Sequence, residues 1–172
     1  MLKIWNKETK VYNMKSAERK RTMKIRLEVN QDDYQKISDI LTKAGFEVVD
    51  EGEDYLLSEN GLHPVHFLVR DEKGDKVHIP VADIIYMESF GHNIDVISIS
   101  GRYQTSDPLK RILSLLDPTQ FVRISNSVII NRAQLKEIIP SLAMKFRLRM
   151  SNGDLVEVTR SYYASFREIF HI

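Results

Sequence analysis

Cysteine is absent from the sequence, which excludes disulfide bonds, thiolate metal sites and a cysteine nucleophile. Such a composition fits a reducing compartment, so we expect the protein to act in the cytoplasm. Glycine and proline are scarce, at 7 and 5 of 172 residues, and this excludes collagen-like and low-complexity chains. Long apolar runs are missing too, because the run at 128–130 falls far short of the roughly 20 residues of a membrane span.

Sequence motifs of the common enzyme classes are also missing. The sequence contains no G-x-S-x-G, no phosphate-binding G-K-[ST], no G-x-G-x-x-G and no H-E-x-x-H. The five histidines are scattered, and the pair His63 and His66 has no third ligand near it in sequence. We therefore predict a protein that is not an enzyme, with no metal site, no cofactor and no small-molecule substrate.

The net charge of +1 is an average over three different stretches. Residues 1–22 hold seven basic and two acidic side chains, residues 23–61 hold four basic and ten acidic ones, and residues 62–172 hold fourteen and twelve. We interpret residues 1–22 as a flexible basic arm, or as a mis-assigned leader before a true start at Met14 or Met23. Residues 23–62 are predicted to be a small acidic module for dimerisation or regulation, and residues 63–172 a second domain.

The acidic module has the pattern of a small α+β unit. Apolar and polar residues alternate over 25–29, which predicts a strand. Asn30 can then cap a helix that ends at Gly45. Two short strands are predicted at 46–49 and 55–58, with the acidic turn between them as a hairpin tip. The order is βαββ.

Residues 63–172 read as a train of short strands with little helix. Pro108 begins one short helix, and a second, amphipathic helix is predicted at 161–170. Asn152 and Gly153 give the strongest hairpin signal in the chain. The predicted fold class is therefore mainly β.

Three loops between these strands concentrate polar and basic side chains, at 91–93, 123–127 and 158–162. Arginine and asparagine suit contact with guanine and adenine edges, and hydroxyl groups suit phosphates. Loops on a rigid sheet can carry such side chains into a DNA groove. Polar loops are, however, also the ordinary surface of any β protein, so composition alone leaves both interpretations open.

Three motifs in a fixed order are more specific than this composition. They are I-x-Y-x-E at 84–88, F-x-R-x-x-x-S-x-x-x-N at 121–131 and V-x-R-x-Y at 158–162. Their order over about residues 65–170 closely resembles the LytTR DNA-binding domain of bacterial transcription regulators. The resemblance implies an elongated, mainly β stack of small antiparallel sheets with one or two short helices, here preceded by the βαββ module. It also implies loops that enter successive major grooves of direct-repeat promoter sites, bound by two copies.

Residue roles follow from the resemblance by position. Asn126 and Arg160 stand at base-reading places, and either His92 or Asn93 belongs to the loop that supplies a third base reader. Backbone contacts are implied for six further residues, which are Arg123, Ser125, Ser127, Asn131, Ser161 and Tyr162. Ser125 replaces a histidine of many members. From the residues alone, Arg123 could instead pair with an acid on a neighbouring strand, and Asn131 could hold a turn through its own backbone.

The resemblance leads to one functional prediction with one alternative. We predict a sequence-specific DNA-binding transcriptional regulator of a bacterial promoter, with double-stranded DNA and a second copy as partners. Many members carry a receiver domain of about 120 residues, for which residues 1–64 are too few, and some stand-alone members are held in check by an inhibitory membrane partner protein. The alternative is a protein-interaction or regulatory module of the same fold that no longer binds DNA, because residues 62–172 are nearly neutral.

Overall fold

The computed structural model describes residues 22–59, 61–91, 93–142 and 144–172. The predicted basic arm therefore lies outside the described residues, apart from Thr22. In these ranges the strands form three sheets of four, seven and three strands, accompanied by three α-helices. Within the described ranges, no helix combines the length and the apolar character needed to cross a membrane.

The four-stranded sheet belongs to the acidic N-terminal region and has the strand order β2-β1-β3-β4. Strand β1 runs parallel to both β2 and β3, while β4 is antiparallel to β3. Helix α1 follows β1, and Asn30 caps it as predicted, because its side-chain oxygen accepts a 2.9 Å hydrogen bond from the Asp33 backbone N–H. The elements are β1 Lys24–Glu28, α1 Gln31–Lys43, β2 Glu47–Val48, β3 Tyr55–Ser58 and β4 Gly61–Pro64.

The pairing of these strands differs from the predicted hairpin. Strands β2 and β3 do not pair with each other, because β1 lies between them. The acidic segment 50–54 is thus a crossover from one side of β1 to the other, and not a hairpin tip. The additional strand β4 was not predicted, and the expected domain boundary after residue 62 falls inside it.

The seven-stranded sheet is antiparallel throughout and has the order β10-β11-β7-β8-β9-β5-β6. Helix α2, Leu109–Leu115, joins β9 to β10, and Pro108 lies just before it. Leu109, Ile112 and Leu116 pack on one face of the sheet as predicted. The strands are β5 His66–Arg70, β6 Lys76–Pro80, β7 Ile84–Phe90, β8 Asn93–Ser98, β9 Gly101–Thr105, β10 Phe121–Arg123 and β11 Val128–Asn131.

The other face of this sheet packs against the three-stranded sheet, which has the order β12-β13-β14. The strands are β12 Leu135–Ser141, β13 Lys145–Met150 and β14 Leu155–Val158. Helix α3, Tyr163–Phe170, closes this second core with Phe166, which is fully buried. A single 3₁₀ turn, Arg160–Tyr162, precedes α3, so the α-helix begins two residues later than predicted. The predicted mainly β class, with antiparallel sheets stacked and few short helices, is confirmed.

Candidate nucleic-acid interface

Three polar segments lie side by side at one edge of the β-rich domain. The Ser89 backbone N–H donates a 2.8 Å hydrogen bond to the Ser127 carbonyl oxygen, and the Thr159 N–H donates one of 3.1 Å to the Ile124 carbonyl oxygen. These bonds join the β7–β8 hairpin tip (89–93), the loop 124–127 and the turn 159–162. We call this surface the loop edge. The sequence predicted the three segments separately. The pairing of β7 with β11 brings the first two together, and the bond from Thr159 to Ile124 adds the third.

Arg123 orders the middle loop of this edge. Its Nε donates to the Ser125 carbonyl oxygen at 3.0 Å, and its Nη2 donates to the Asn126 carbonyl oxygen at 2.5 Å. Between the described residues Arg123 makes no ion pair, so the predicted alternative of a pair with an acid on a neighbouring strand is not observed there. A guanidinium bonded to two successive loop carbonyls fixes the backbone of the loop, because each bond removes freedom from the peptide units that accept it.

Asn126 is exposed at the tip of the same loop, and Tyr162 fixes its orientation. The Tyr162 hydroxyl donates a 3.1 Å hydrogen bond to the Asn126 side-chain oxygen. The Tyr162 ring is half-buried against the second core, so the hydroxyl that holds the amide stands on a rigid support. The amide oxygen is partly satisfied by this bond, which leaves the Asn126 NH₂ group as the donor turned toward solvent.

Arg160 begins the 3₁₀ turn and is exposed. Within the described residues, its guanidinium has neither a hydrogen-bond acceptor nor an acid as a partner. A cation at the start of a helical segment also faces the positive end of the peptide dipoles, which is unfavourable in the absence of an anion. Arg160 is therefore a charge presented to solvent next to the Asn126 loop.

Two of the residues implied for backbone contacts, Ser125 and Asn131, have side chains that are buried and hydrogen-bonded inside the fold. Ser125 is 5% exposed, and its hydroxyl lies 3.2 Å from that of Ser127 and accepts the Ser127 N–H at 3.1 Å. Asn131 is 1% exposed. Its side chain accepts the Ala133 N–H at 3.0 Å and donates to the Ile84 carbonyl at 2.9 Å. Asn131 thus stabilises the turn after β11 and connects it to β7.

The remaining implied residues are placed as follows. Ser161 is exposed beside Arg160, Ser127 is half-buried, and Asn93 is exposed at the start of β8, opposite Phe90. His92 lies outside the described residues. Of the two candidates for the third base reader, Asn93 is therefore the one whose position on the loop edge the structure describes.

The charge of the loop edge differs from that of the whole domain. The three segments of the loop edge, taken together with the flanking residues Arg123 and Val158, contain two arginines and no Asp or Glu. Acidic groups are found further down the sheet, where Asp95 is buried and accepts hydrogen bonds from Arg102 at 2.8 Å and Gln104 at 3.0 Å. The nearly neutral total therefore conceals a locally positive edge.

Glu88 is the last residue of the first sequence motif, and no role was predicted for it. It lies at the base of the hairpin tip, between Val128 on β11 and Asp95 on β8. Partial burial raises the pKa of its carboxyl, and the neighbouring Asp95 raises it further, while Arg102 acts in the opposite direction. The sequence signal was the pair of acids Glu88 and Asp95 in strands whose neighbours are apolar, but only the register shows that the two face each other.

Tyr86, the aromatic residue of the first motif, connects the two sheets of the domain. Its hydroxyl donates a 2.9 Å hydrogen bond to the Asp154 carboxylate in the β13–β14 turn. Burial and this bond raise the pKa of the phenol above its ordinary value. The bond holds the small sheet, and with it the turn 159–162, in place on the large sheet.

Comparison with known proteins agrees with this geometry. The LytTr DNA-binding domain family model matches residues 75–171, more than half of the sequence, and the chain therefore belongs to this family. It is 29% identical over 96 residues to "Sensory transduction protein LytT" of Bacillus subtilis (strain 168), covering 56% of this chain and 40% of that protein. It is 30% identical over 97 residues to "Transcriptional regulatory protein LytR" of Staphylococcus aureus (strain N315), covering 56% and 39%.

A solved structure shows the same fold. The LytTr DNA-binding domain of a putative methyl-accepting/DNA response regulator from Bacillus cereus superposes with a TM-score of 0.60 at 25% identity, covering 63% of this chain and 98% of that domain. The chain spans about two fifths of the length of the Bacillus subtilis and Staphylococcus aureus relatives. The shared part is the β-rich domain that carries the loop edge.

Proposed function

We propose that this protein is a sequence-specific DNA-binding transcriptional regulator of a bacterial promoter. The observation that carries the proposal is the loop edge, where three segments of a LytTR-family domain present Asn126, Arg160 and Asn93 to solvent with no acidic side chain among them. We propose that the chain regulates through DNA in the cytoplasm and does not catalyse a reaction.

The proposed mode of binding uses loops, not a recognition helix. Arg160 has a planar guanidinium without a partner among the described residues, which suits bidentate contact with the O6 and N7 atoms of guanine. Asn126 presents its NH₂ group, which suits a base acceptor such as N7 of a purine. Asn93, together with His92, would supply the third loop. We infer that the loops enter successive major grooves.

Phosphate contacts position such a protein without reading sequence. On the loop edge Ser161 is exposed and Ser127 is half-buried, and we assign both hydroxyl groups this role. We assign Tyr162 the role of positioning Asn126, because its hydroxyl already donates to the Asn126 side-chain oxygen. Arg123 supports the loop from within, and Ser125 and Asn131 are structural.

One copy of such a loop edge covers a short stretch of DNA, so we propose that two copies bind a direct repeat. Half-sites separated by about one helical turn, roughly 10 base pairs, would place both copies on the same face of the duplex. The acidic region 23–62 would face away from the phosphates, since its net charge of −6 over 23–61 repels them. We propose that this region serves regulation or dimerisation and that an inhibitory membrane protein is one kind of partner.

The second candidate function is a protein-interaction module that has lost DNA affinity, favoured by the small net charge of residues 62–172. The salt dependence of binding separates the two functions. A protein that neutralises phosphates loses affinity steeply as salt is added, because bound counterions are released on association. An apolar interaction module shows no such slope.

The decisive experiment is selection from a random duplex-DNA pool with the full chain. Wild-type protein is expected to enrich a direct repeat, and Arg160→Ala and Asn126→Ala are expected to lose it. Arg147→Ala is the matched control, because Arg147 is an exposed arginine on β13 that belongs to none of the three segments. Failure of folded wild-type protein to enrich any sequence, at low and at moderate salt, would reject the proposal in favour of the interaction module.

A further inference from the structure

A groove runs along the acidic N-terminal region, on the side away from β3. It lies between helix α1 and strand β2 and has a volume of about 580 Å³. The helix contributes Tyr34, Ser38 and Thr42, which share one face at intervals of four residues. Thr22, the first described residue, also lines the groove. The remaining lining residues belong to the segment around β2 and are Phe46, Glu47, Val48 and Asp50.

Apolar surface in this region is incompletely covered. None of the thirteen residues of α1 is buried, although the helix is amphipathic. Tyr34, Phe46 and Val48 are only half-buried in the groove. Among the residues that the structure describes, β2 lies at the edge of its sheet, and one side of its backbone has no neighbouring strand there. An amphipathic helix and an open sheet edge in this state are both surfaces that a further segment of chain can cover.

The charge of the groove selects a basic occupant. Glu47 and Asp50 line it, and its lining contains no lysine or arginine. Neither of these carboxylates has an ion-pair partner in the part of the chain that the structure describes. The surrounding residues 23–61 carry ten acidic and four basic groups, so the field over the groove is negative.

A segment with the complementary charge joins the fold at this place. Residues 1–21 hold seven basic and two acidic side chains, together with the apolar residues Val11, Tyr12 and Met14. The segment is connected directly to Thr22, which lines the groove. The groove follows a helix about 20 Å long, a distance that six or seven residues of chain can span. The tethered segment also has a high effective concentration at the groove.

We propose that the basic segment 1–21 docks in the α1–β2 groove of its own chain. Its arginines and lysines nearest to Thr22 pair with Glu47 and Asp50, and its apolar side chains cover the exposed face beside Tyr34 and Phe46. The segment is then held on the acidic region, away from the loop edge. DNA phosphates and the groove compete for the same positive charges, and this competition weakens non-specific DNA binding.

The absence of cysteine makes a direct test possible. A single Ser16→Cys substitution in the full chain gives one attachment point for a nitroxide spin label. Docking predicts strong paramagnetic broadening of the amide signals of Ser38, Thr42 and Val48, with little effect at Asn126 and Arg160. The broadening should fall several-fold at high salt and in the doubly neutralised variant Glu47→Gln with Asp50→Asn, because both changes weaken the ion pairs.

The matched control neutralises two exposed acids outside the groove, Glu59→Gln with Glu72→Gln, and should leave the broadening unchanged. The salt titration of otherwise unmodified protein keeps the test valid if the groove variant unfolds. Three results would overturn the proposal. They are broadening at the loop edge instead, no localised broadening at all, or broadening of the groove that appears only between labelled and unlabelled copies in a mixed sample, which would assign the segment to a second copy.

Discussion

The loop edge and the acidic groove are both polar surfaces, yet they are built in opposite ways. At the loop edge, side chains are held by specific hydrogen bonds, such as Tyr162 to Asn126 and Arg123 to two carbonyls. In the groove, Glu47 and Asp50 line an open surface on a small sheet whose helix has no buried side chain. The first surface is ordered before any partner binds, which is typical of a site that discriminates between ligands. The second attracts opposite charge with little geometric demand.

The largest effect is expected from a substitution in the second core, which supports the loop edge and lies outside the groove. Phe166 is 1% exposed and stacks on Phe170, with ring centroids 4.4 Å apart. Phe166→Ala should lower the free energy of unfolding of the β-rich domain by about 3–5 kcal/mol, because it leaves a cavity in the second core. Chemical denaturation followed by circular dichroism measures this loss. A change below about 1 kcal/mol would mean that α3 does not support the turn 159–162.

The second-largest effect is expected from removal of the Arg160 guanidinium, which has no partner among the residues that the structure describes. Arg160→Ala should weaken binding at a specific site by about 1–3 kcal/mol and relax the preference at one or two base pairs. Fluorescence anisotropy with cognate and scrambled duplexes measures both effects, and Arg147→Ala should show neither. If the scrambled duplex loses as much affinity as the cognate one, Arg160 contacts phosphate and not a base.

A smaller effect should show whether Tyr162 positions Asn126 or contacts DNA itself. Tyr162→Phe removes only the hydroxyl that donates to Asn126, so we expect a loss of about 0.5–1.5 kcal/mol at the cognate site. The base preference should change at the same position that Asn126→Ala affects, and the double variant should lose less than the sum of the two single ones. Additive losses would indicate that Tyr162 contacts DNA independently.

The smallest effect concerns the Glu88 carboxyl, whose pKa is raised by burial and by Asp95. A raised pKa in the folded state means that the fold disfavours the charged form, so stability falls as the pH rises from the unfolded to the folded pKa. Glu88→Gln should therefore be slightly more stable than wild type at neutral pH, with the difference closing below the ordinary carboxyl range near pH 4. Thermal melts of both proteins across this range test the sign, and Glu168→Gln, an exposed acid on α3, serves as the control.

Local signals in the sequence were sufficient for much of this architecture. The cap at Asn30, the helix after Pro108 and the hairpin at 152–153 depend on neighbouring residues, and the structure has all three. The predicted hairpin between β2 and β3 was wrong because the deciding partner, β1, is more than twenty residues away in sequence. Parallel pairing through a crossover leaves no turn signature at the point where it happens.

The candidate site shows the same division between local and distant causes. Asn126 and Asn131 lie in one short segment, and both were candidates for DNA contact. Their environments differ because Asn131 ends β11 close to β7, where its side-chain N–H donates to the Ile84 carbonyl oxygen. Asn126 lies at the other end, before the first residue of β11 that pairs with β7. Neither the Tyr162 hydroxyl nor the Ile84 carbonyl is near the two asparagines in sequence, so the sequence could not predict that one side chain is exposed and the other buried.

The bond between Tyr162 and Asn126 also has a consequence for engineering. The two residues come from loops that are 36 positions apart, yet the hydroxyl of one is matched to the amide of the other. A library that varies position 126 alone would leave that hydroxyl without its acceptor in most members, and would sample mostly loops that have lost this support. A library designed to change the proposed DNA preference therefore calls for joint variation of positions 126 and 162, with Arg160 varied as a separate unit.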